Sequence, residues 1–507
     1  MGVIRRQSAI SAIFSYFGVV VGFVTSALIM PKILDTDQIG LIKLIVAVTG
    51  VFSGVFSFGV GQLLFRSFPK FESENGKRSK LYGVAIKIAL VGTIISIPFF
   101  IFSVDDLFNL DSETSGISKG TFFLVLVFLT IVSRLFYNAI FSYYRMQNEI
   151  VIDAFIQNVF HKLGILILLV GLIFDFLNFS AFVYSYLGLY LFFPFIMVFY
   201  FFRKRNVSSE IHQIDLFGRK NKSRFSRSEK KEFLNLLLFG TLTTIGGSLF
   251  LYVDTLMVNY YLSESQVGIY GTMFLFGMIV IIPARSLKSI SVSVLSKSFK
   301  DNDINEITQI YKKSSITLLV IGGFIFVGVW CNMYSVYGYL PESFQLGKYV
   351  VLFIGIGQLF DMVTGVNNEI IAVSPKYKMN TYFILLSIVV GISINLWLIP
   401  LYGISGAALA TMSTILFINL LRLITVYKNF GIHPFSIDTL KIIFLITGLT
   451  FLVQVIPNVE NYILNLFIKG SLITIIYIPI VYFSKVSEDI NFMIEKVFRI
   501  LLRRKPN

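Results

Sequence analysis

The sequence predicts an all-α polytopic membrane protein of about fourteen transmembrane helices, and three observations carry that reading. Of its 507 residues, 55% are hydrophobic and only 14% charged, where soluble domains carry about 25% charged residues; mean hydropathy is +0.78. The apolar residues fall into runs near the ~20 residues that cross a hydrocarbon core. The basic residues gather in alternate turns between those runs. The runs are continuous and lack the ~10-residue alternation of a barrel, so they are read as helices. The 53 Phe and 25 Tyr suit lipid packing and interfacial belts.

In chain order the spans are 9–31, 40–64, 82–103, 120–143, 150–174, 179–202, 233–258, 267–291, 313–337, 346–372, 379–399, 404–427, 438–456 and 466–484. The first follows Arg5 and Arg6. Its apolar run, Ala9 to Met30, exceeds the roughly 7–15 residues of a signal peptide and ends without a small-residue cleavage site, so it is read as a retained helix. An even number of spans puts both termini on one side. That side carries Arg5, Arg6, Arg66 to Lys80, Arg203 to Lys231, Lys297 to Lys313, Lys376, Lys378 and the tail through Lys505. It holds about 32 of the 43 Lys and Arg, against about four on the opposite side, and is therefore assigned as cytoplasmic. The opposite loops are short and carry Asp35, Asp37, Asp105, Asp106, Asp111 and Glu113.

These patterns exclude several classes. The net charge of +15 lies in turns at the membrane surface, which argues against nucleic acid. A lone cysteine, Cys331, forms no intramolecular disulfide. No Gly-rich phosphate loop points to ATP hydrolysis. The three histidines, His161, His212 and His433, lack metal-ligand spacing, and no cofactor is expected. A membrane polymerase or ligase is disfavoured because no sizeable external loop is present, so the chain is read as a transporter and not an enzyme.

A repeat organises the chain. After the first span comes Asp35-Thr36-Asp37-Gln38-Ile39-Gly40-Leu41, and after the seventh Ser263-Glu264-Ser265-Gln266-Val267-Gly268-Ile269. The same spacing carries the sixth span onto the twelfth. Arg145-Met146-Gln147 is echoed by Lys378-Met379-Asn380. The expected organisation is therefore a six-helix lobe at 1–202, a basic cytoplasmic linker at 203–232, a second six-helix lobe at 233–427, and residues 428–507 with helices thirteen and fourteen and a basic tail. The lobes are expected to be related by a pseudo-twofold axis along the membrane normal, with substrate at their interface and rocking as the transport motion.

The stretch Asn395-Leu-Trp-Leu-Ile-Pro400-Leu-Tyr402-Gly403-Ile-Ser-Gly406-Ala407-Ala408-Leu-Ala410-Thr411 resembles the helix 11–12 signature of Wzx-like polysaccharide (O-antigen) flippases in the multidrug/oligosaccharidyl-lipid/polysaccharide exporter superfamily. The repeated Gln-Ile-Gly or Gln-Val-Gly and the fourteen spans are similar to the same family, and the resemblance covers essentially the whole chain. It implies a bacterial inner-membrane flippase that moves an undecaprenyl-diphosphate-linked oligosaccharide, the donor of O-antigen, lipopolysaccharide or capsule-like polymer. A peptidoglycan-precursor flippase or a drug/cation antiporter of the same superfamily is the alternative, and the two extra helices disfavour the antiporter. The signature also has a physical reading: Pro400 and Gly403 make a tight turn, and Gly406, Ala407, Ala408 and Ala410 allow close packing of helix twelve.

Ionisable residues inside spans mark candidate sites, since each costs roughly 2.5–3.5 kcal/mol at the bilayer centre on insertion scales. Lys87, Arg285, Lys288, Arg422 and Lys441 lie within about two turns of cytoplasmic ends, where snorkelling accounts for them; Lys43 is placed similarly at an external end. Arg285 follows Pro283, a potential helix break, and stays a candidate. Arg134, His161, Lys162 and Asp361 sit deeper, and Asp254 lies toward the external end of helix seven. Two readings remain open: ion-pair networks within each lobe, or a water-filled cleft. In the cleft reading Arg134, Lys162 and Arg285 hold the diphosphate, while Asp361, Asp254 and His161 bind a coupling H⁺ or Na⁺. Arg134 and Asp361 are separated by nearly the repeat spacing and carry opposite charges, so pairing across the cleft is a further expectation.

The topology has a direct test. In a Cys331→Ala background, a cysteine introduced by Ser226→Cys is expected to resist a membrane-impermeant thiol reagent in intact cells and to react in inverted vesicles. Labelling from outside would overturn the assignment of the cytoplasmic side.

Overall fold

The computed structural model describes residues 2–71, 75–108, 119–147, 149–203 and 225–501. Among them there is no β-strand, and thirteen helices are long and apolar enough to cross a membrane. They are α1 (Ile10–Ile33), α2 (Thr36–Phe56), α3 (Lys80–Phe108), α4 (Thr121–Arg145), α5 (Val151–Ile173), α6 (Phe179–Arg203), α7 (Arg227–Tyr261), α8 (Glu264–Lys300), α9 (Ile304–Cys331), α10 (Glu342–Val363), the stretch Lys378–Phe430, and two C-terminal helices, Ile437–Val455 and Tyr462–Ser484. The 53 residues of Lys378–Phe430 would run about 80 Å, far beyond the ~30 Å hydrocarbon core. Gly403 breaks the stretch with φ 58° and ψ −138°, a conformation open to glycine alone. It divides the stretch into α11 (378–402) and α12 (404–430), so the expected turn falls where the sequence placed it. The two C-terminal helices are then α13 and α14. Most of the 203–232 linker and the end of the basic tail lie outside the described residues.

Apolar side chains stand out on the helix surfaces. Phe102 is 85% exposed and Phe176 81%, which only a lipid solvent makes favourable, and the protein is a multi-pass membrane protein. Prolines stand inside α3, α6 and α14 (Pro98, Pro194, Pro479), and the carbonyl that Pro194 frees, that of Tyr190, accepts from Ser133 Oγ of α4.

The chain divides into two compact units, 1–268 and 269–507. In the first, α2 packs on α7 and α4, α4 on α3 and α6, and α5 on α1 and α6. Two π-helical turns interrupt it, Val24–Ile29 in α1 and Ile156–Phe160 in α5. The first precedes Pro31, whose missing N–H cannot complete an ordinary α-turn. In the second unit α10 packs on the 378–430 pair, and α9 packs on α8, α10, α13 and α14. Its main apolar cluster joins Leu318, Leu319 and Val327 of α9 to Ile446 and Leu449 of α13 and Tyr477 of α14.

The structure explains the repeat. Asp35 caps α2 and forms a capping box with Gln38, whose Oε1 accepts from Asp35 N at 3.2 Å. In the second copy Ser263 Oγ accepts from Gln266 N at 3.3 Å, at the start of α8. The polar residues of the repeat are thus helix starts. The glycines make a reciprocal contact. A Cβ on Gly40 would lie 1.8 Å from the carbonyl oxygen of Glu264, and one on Gly268 would lie 2.0 Å from that of Thr36. Thr36 and Glu264 are equivalent positions of the repeat, so the two copies pack against each other about a local two-fold, as isologous contacts do. Thr36 Oγ1 and Ser265 Oγ share a hydrogen bond of 2.6 Å. Beside them Lys119 and Glu264 form an ion pair with 0% and 6% of their side chains exposed, and Lys119 Nζ also donates to the Phe108 carbonyl at 2.7 Å.

Because backbone blocks both glycines, Gly40→Ala and Gly268→Ala are each expected to destabilise the fold by about 1–3 kcal/mol, and by similar amounts. Thermal unfolding of the purified protein in detergent measures this. Gly328→Ala, which has open space around the added Cβ, serves as the unaffected control.

Candidate functional site

The first unit carries a cluster of cations. Arg134 lies halfway along α4, where Ser133 Oγ donates to the Tyr190 carbonyl at 2.7 Å and holds α4 against α6. Thr49 of α2 donates its own hydroxyl hydrogen to the Ile45 carbonyl at 2.8 Å. Its free lone pair then accepts from Arg134 Nη1 at 2.8 Å. The other side of the guanidinium lies 5.5 Å from the Tyr190 ring centre, within cation–π range.

Helix α5 supplies the next two candidates, and its π-turn decides where they point. One extra residue in a turn rotates everything after it by about 100°. His161, just beyond the turn, faces α6, with its ring 4.6 Å from Tyr190 and 5.5 Å from Phe193. It is 7% exposed, and its Nε2 has no hydrogen-bond partner among the described residues. Lys162 instead faces α1, its end lying across Gly22. Lys162 and Arg134 both lie within electrostatic reach of His161, and Lys43 of α2 within reach of Lys162. Lys43 is thus a further cation near Lys162. Among the described residues, no carboxylate lies within ion-pair distance of Lys43, Arg134 or Lys162. Asp153, earlier on α5, accepts from Tyr137 Oη and Gln157 Nε2, each at 2.6 Å. Asp254 is half-buried in α7.

The second unit holds an ion-paired network around Asp361. Helix α10 stops at Val363, Gly365 turns with φ 62°, and a short helix restarts over Asn367–Val373. Asp361 sits just before this break. Its Oδ2 accepts from Lys288 Nζ of α8 at 2.6 Å, and its Oδ1 accepts from Asn419 Nδ2 of α12 at 3.1 Å. Asn419 Oδ1 in turn accepts from Thr364 Oγ1 at 3.2 Å and Asn367 Nδ2 at 3.1 Å. Arg422, one turn beyond Asn419, lies within electrostatic reach of Asp361 and Glu369. Lys288 is therefore a network member, although its position near a span end had suggested snorkelling. Arg285 belongs to this unit too, on α8 just after a 3₁₀ turn at Ile279–Ile281, and it is exposed. Arg134 and Asp361 each find partners within their own unit.

The sequence reading singled out Arg134, His161, Lys162 and Asp361 by depth. It did not foresee Thr49, Tyr190, Lys288 or Asn419 as their partners. The one available signal was the spacing of Asn419 and Arg422, which places both on one face of α12.

Comparison with known proteins gives the following. Residues 4–295 match the family model described as "Polysaccharide biosynthesis protein", and residues 240–397 match MatE. Two curated proteins of Haloferax volcanii are similar: a "Probable low-salt glycan biosynthesis flippase Agl15", 24% identical over 36% of this chain and 39% of that protein, and a "Probable flippase AglR", 25% identical over 34% and 37%. The matches span well under half the length of these relatives. Among solved structures, the "Lipid II flippase MurJ, inward closed conformation" aligns with TM-score 0.67 at 17% identity, covering 94% of this chain and 99% of that one. An inward-facing multidrug resistance MATE family transporter of the MOP superfamily aligns with TM-score 0.64 at 12% identity over 84% and 98%. These likenesses show a shared fold.

The Lys288–Asp361 pair makes a prediction of its own. Lys288→Met or Asp361→Asn alone leaves a partner stranded and is expected to cost roughly 3 kcal/mol. The double substitution is expected to cost less than either single one. Thermal midpoints in detergent check this; additive losses would mean the pair is not coupled.

Proposed function

We infer a transport function from one premise: the chain belongs to the polysaccharide biosynthesis protein family, within the MOP superfamily. It is a flippase that carries an undecaprenyl-diphosphate-linked oligosaccharide across a bacterial inner membrane by alternating access of two pseudo-symmetric lobes. Both termini and the basic linker face the cytoplasm.

One observation carries this reading. Lys43, Arg134 and Lys162 lie inside membrane spans of one unit without a carboxylate at ion-pair distance among the described residues. Uncompensated charge in a low-dielectric span is costly, so such a cluster calls for water and an anion. A diphosphate linked to a lipid and a sugar is the anion that a glycan flippase must move. Arg134 offers the fork of donors suited to phosphate oxygens, and Lys162 and Lys43 offer compact charges. The same positive field opposes a cationic drug. Asp361, Asp254 and His161 are the groups through which H⁺ or Na⁺ couples to transport, with Asp361 exchanging its Lys288 partner during the cycle.

The test uses the protein reconstituted in vesicles with a fluorescent undecaprenyl-diphosphate oligosaccharide. Arg134→Ala and Lys162→Ala are each expected to slow flipping about tenfold or more, the worth of one charge-assisted hydrogen bond, with unchanged insertion and thermal midpoint. Wild-type rates in both variants would remove the cluster from the mechanism.

A further inference from the structure

Helix α1 carries Gly18 and Gly22, four residues apart and so on one face. Helix α5 presents Asn158 and Lys162 at the same interval. The structure pairs them in register, Gly18 with Asn158 and Gly22 with Lys162. Glycines at this spacing ordinarily let two membrane helices approach closely, and for Gly18 that account is sufficient. A Cβ there would lie 2.4 Å from Asn158 Cβ and 2.8 Å from its Cα, atoms that move only if the helices part.

Gly22 is different. A Cβ at that position would lie 3.1 Å from Lys162 Cε and 3.3 Å from both Cδ and Nζ. What occupies the space above Gly22 is the charged end of a flexible side chain. The backbone does not need the glycine for its conformation, since Gly22 lies within the α-helical Gly2–Phe23 segment and has no positive φ. The glycine therefore leaves a slot, and the slot is filled by the ammonium end of Lys162. The π-turn at Ile156–Phe160 aims the lysine into that slot while turning His161 toward α6.

We propose that Gly22 is a positioning residue: by leaving room on α1 for the end of Lys162, it holds that ammonium where the diphosphate is bound. The proposal rests on the cationic-cluster reading given above. It assigns the two glycines of α1 separate duties, Gly18 setting the helix–helix distance and Gly22 setting the place of a charge.

The experiment is a double-mutant cycle read as apparent KM and kcat for the fluorescent undecaprenyl-diphosphate oligosaccharide in proteoliposomes. Gly22→Leu, which displaces the lysine, is expected to raise KM about tenfold, as Lys162→Ala does. The double variant is expected to show no further rise, because the lysine through which Gly22 acts is gone. Gly22→Ala, which needs a shift of only a few tenths of an ångström, is expected to raise KM about two- to threefold, again only when Lys162 is present; this milder variant carries the test should Gly22→Leu not insert. Equal KM increases from Gly22→Ala with and without Lys162 would show a packing role and overturn the proposal. So would an unchanged KM in Gly22→Ala and Gly22→Leu while Lys162→Ala is impaired; that result overturns the positioning role alone. An unaffected Lys162→Ala, by contrast, overturns the participation of Lys162 in the site and the proposal with it.

Discussion

Uncompensated positive charge within membrane spans is the constraint on which the functional account depends. A lipid-facing helix tolerates a lysine near its end, where the stem carries the ammonium to the headgroups. Three cations in the spans of one unit, with no carboxylate within ion-pair distance among the described residues, are costly. Lys43, Arg134 and Lys162 come from three different helices, α2, α4 and α5, so local sequence does not assemble them. Packing does, through the Ser133–Tyr190 hydrogen bond, the Thr49–Arg134 hydrogen bond and the π-turn of α5.

The second unit shows the opposite solution to the same problem. There the helix break at Gly365 frees backbone groups, and Lys288, Asp361, Asn419, Thr364 and Asn367 satisfy one another in a continuous network. Asn419 uses both ends of its amide, so a change at one member reaches the others. A cluster of like charges and a network built around an ion pair are two different ways of holding ionisable groups inside spans. The reciprocal packing of Gly40 and Gly268 adds a rigid local two-fold where the two copies of the repeat meet.

Much of this was legible in the sequence, for identifiable reasons. Spans are legible because hydrocarbon thickness imposes a length, and Gly403 because a turn between two apolar runs needs one. The repeat was visible as a pattern, but its meaning was not: Gln38 and Gln266 stand at the third position of capped helices, and Gly40 and Gly268 lie against each other's carbonyl neighbours. Depth along a span singled out Arg134, Lys162 and Asp361. It misread Lys288, because its partner Asp361 is 73 residues away and counting residues from a helix end says nothing about what a neighbouring helix brings near. Gly22 was invisible for the same reason, since its importance lies in the side chain of another helix. The π-turn of α5 left no sequence signature, yet it decides which way His161 and Lys162 face.

The central claim is that the cation cluster holds a diphosphate. The most direct measurement is native mass spectrometry of the purified wild-type protein with undecaprenyl diphosphate, undecaprenyl monophosphate and undecaprenol at equal concentrations. The account predicts occupancy in that order, with the preference for the diphosphate weakening as ammonium acetate concentration rises. Equal occupancy by the alcohol and the diphosphate would show that the lipid tail alone is recognised, and would contradict it.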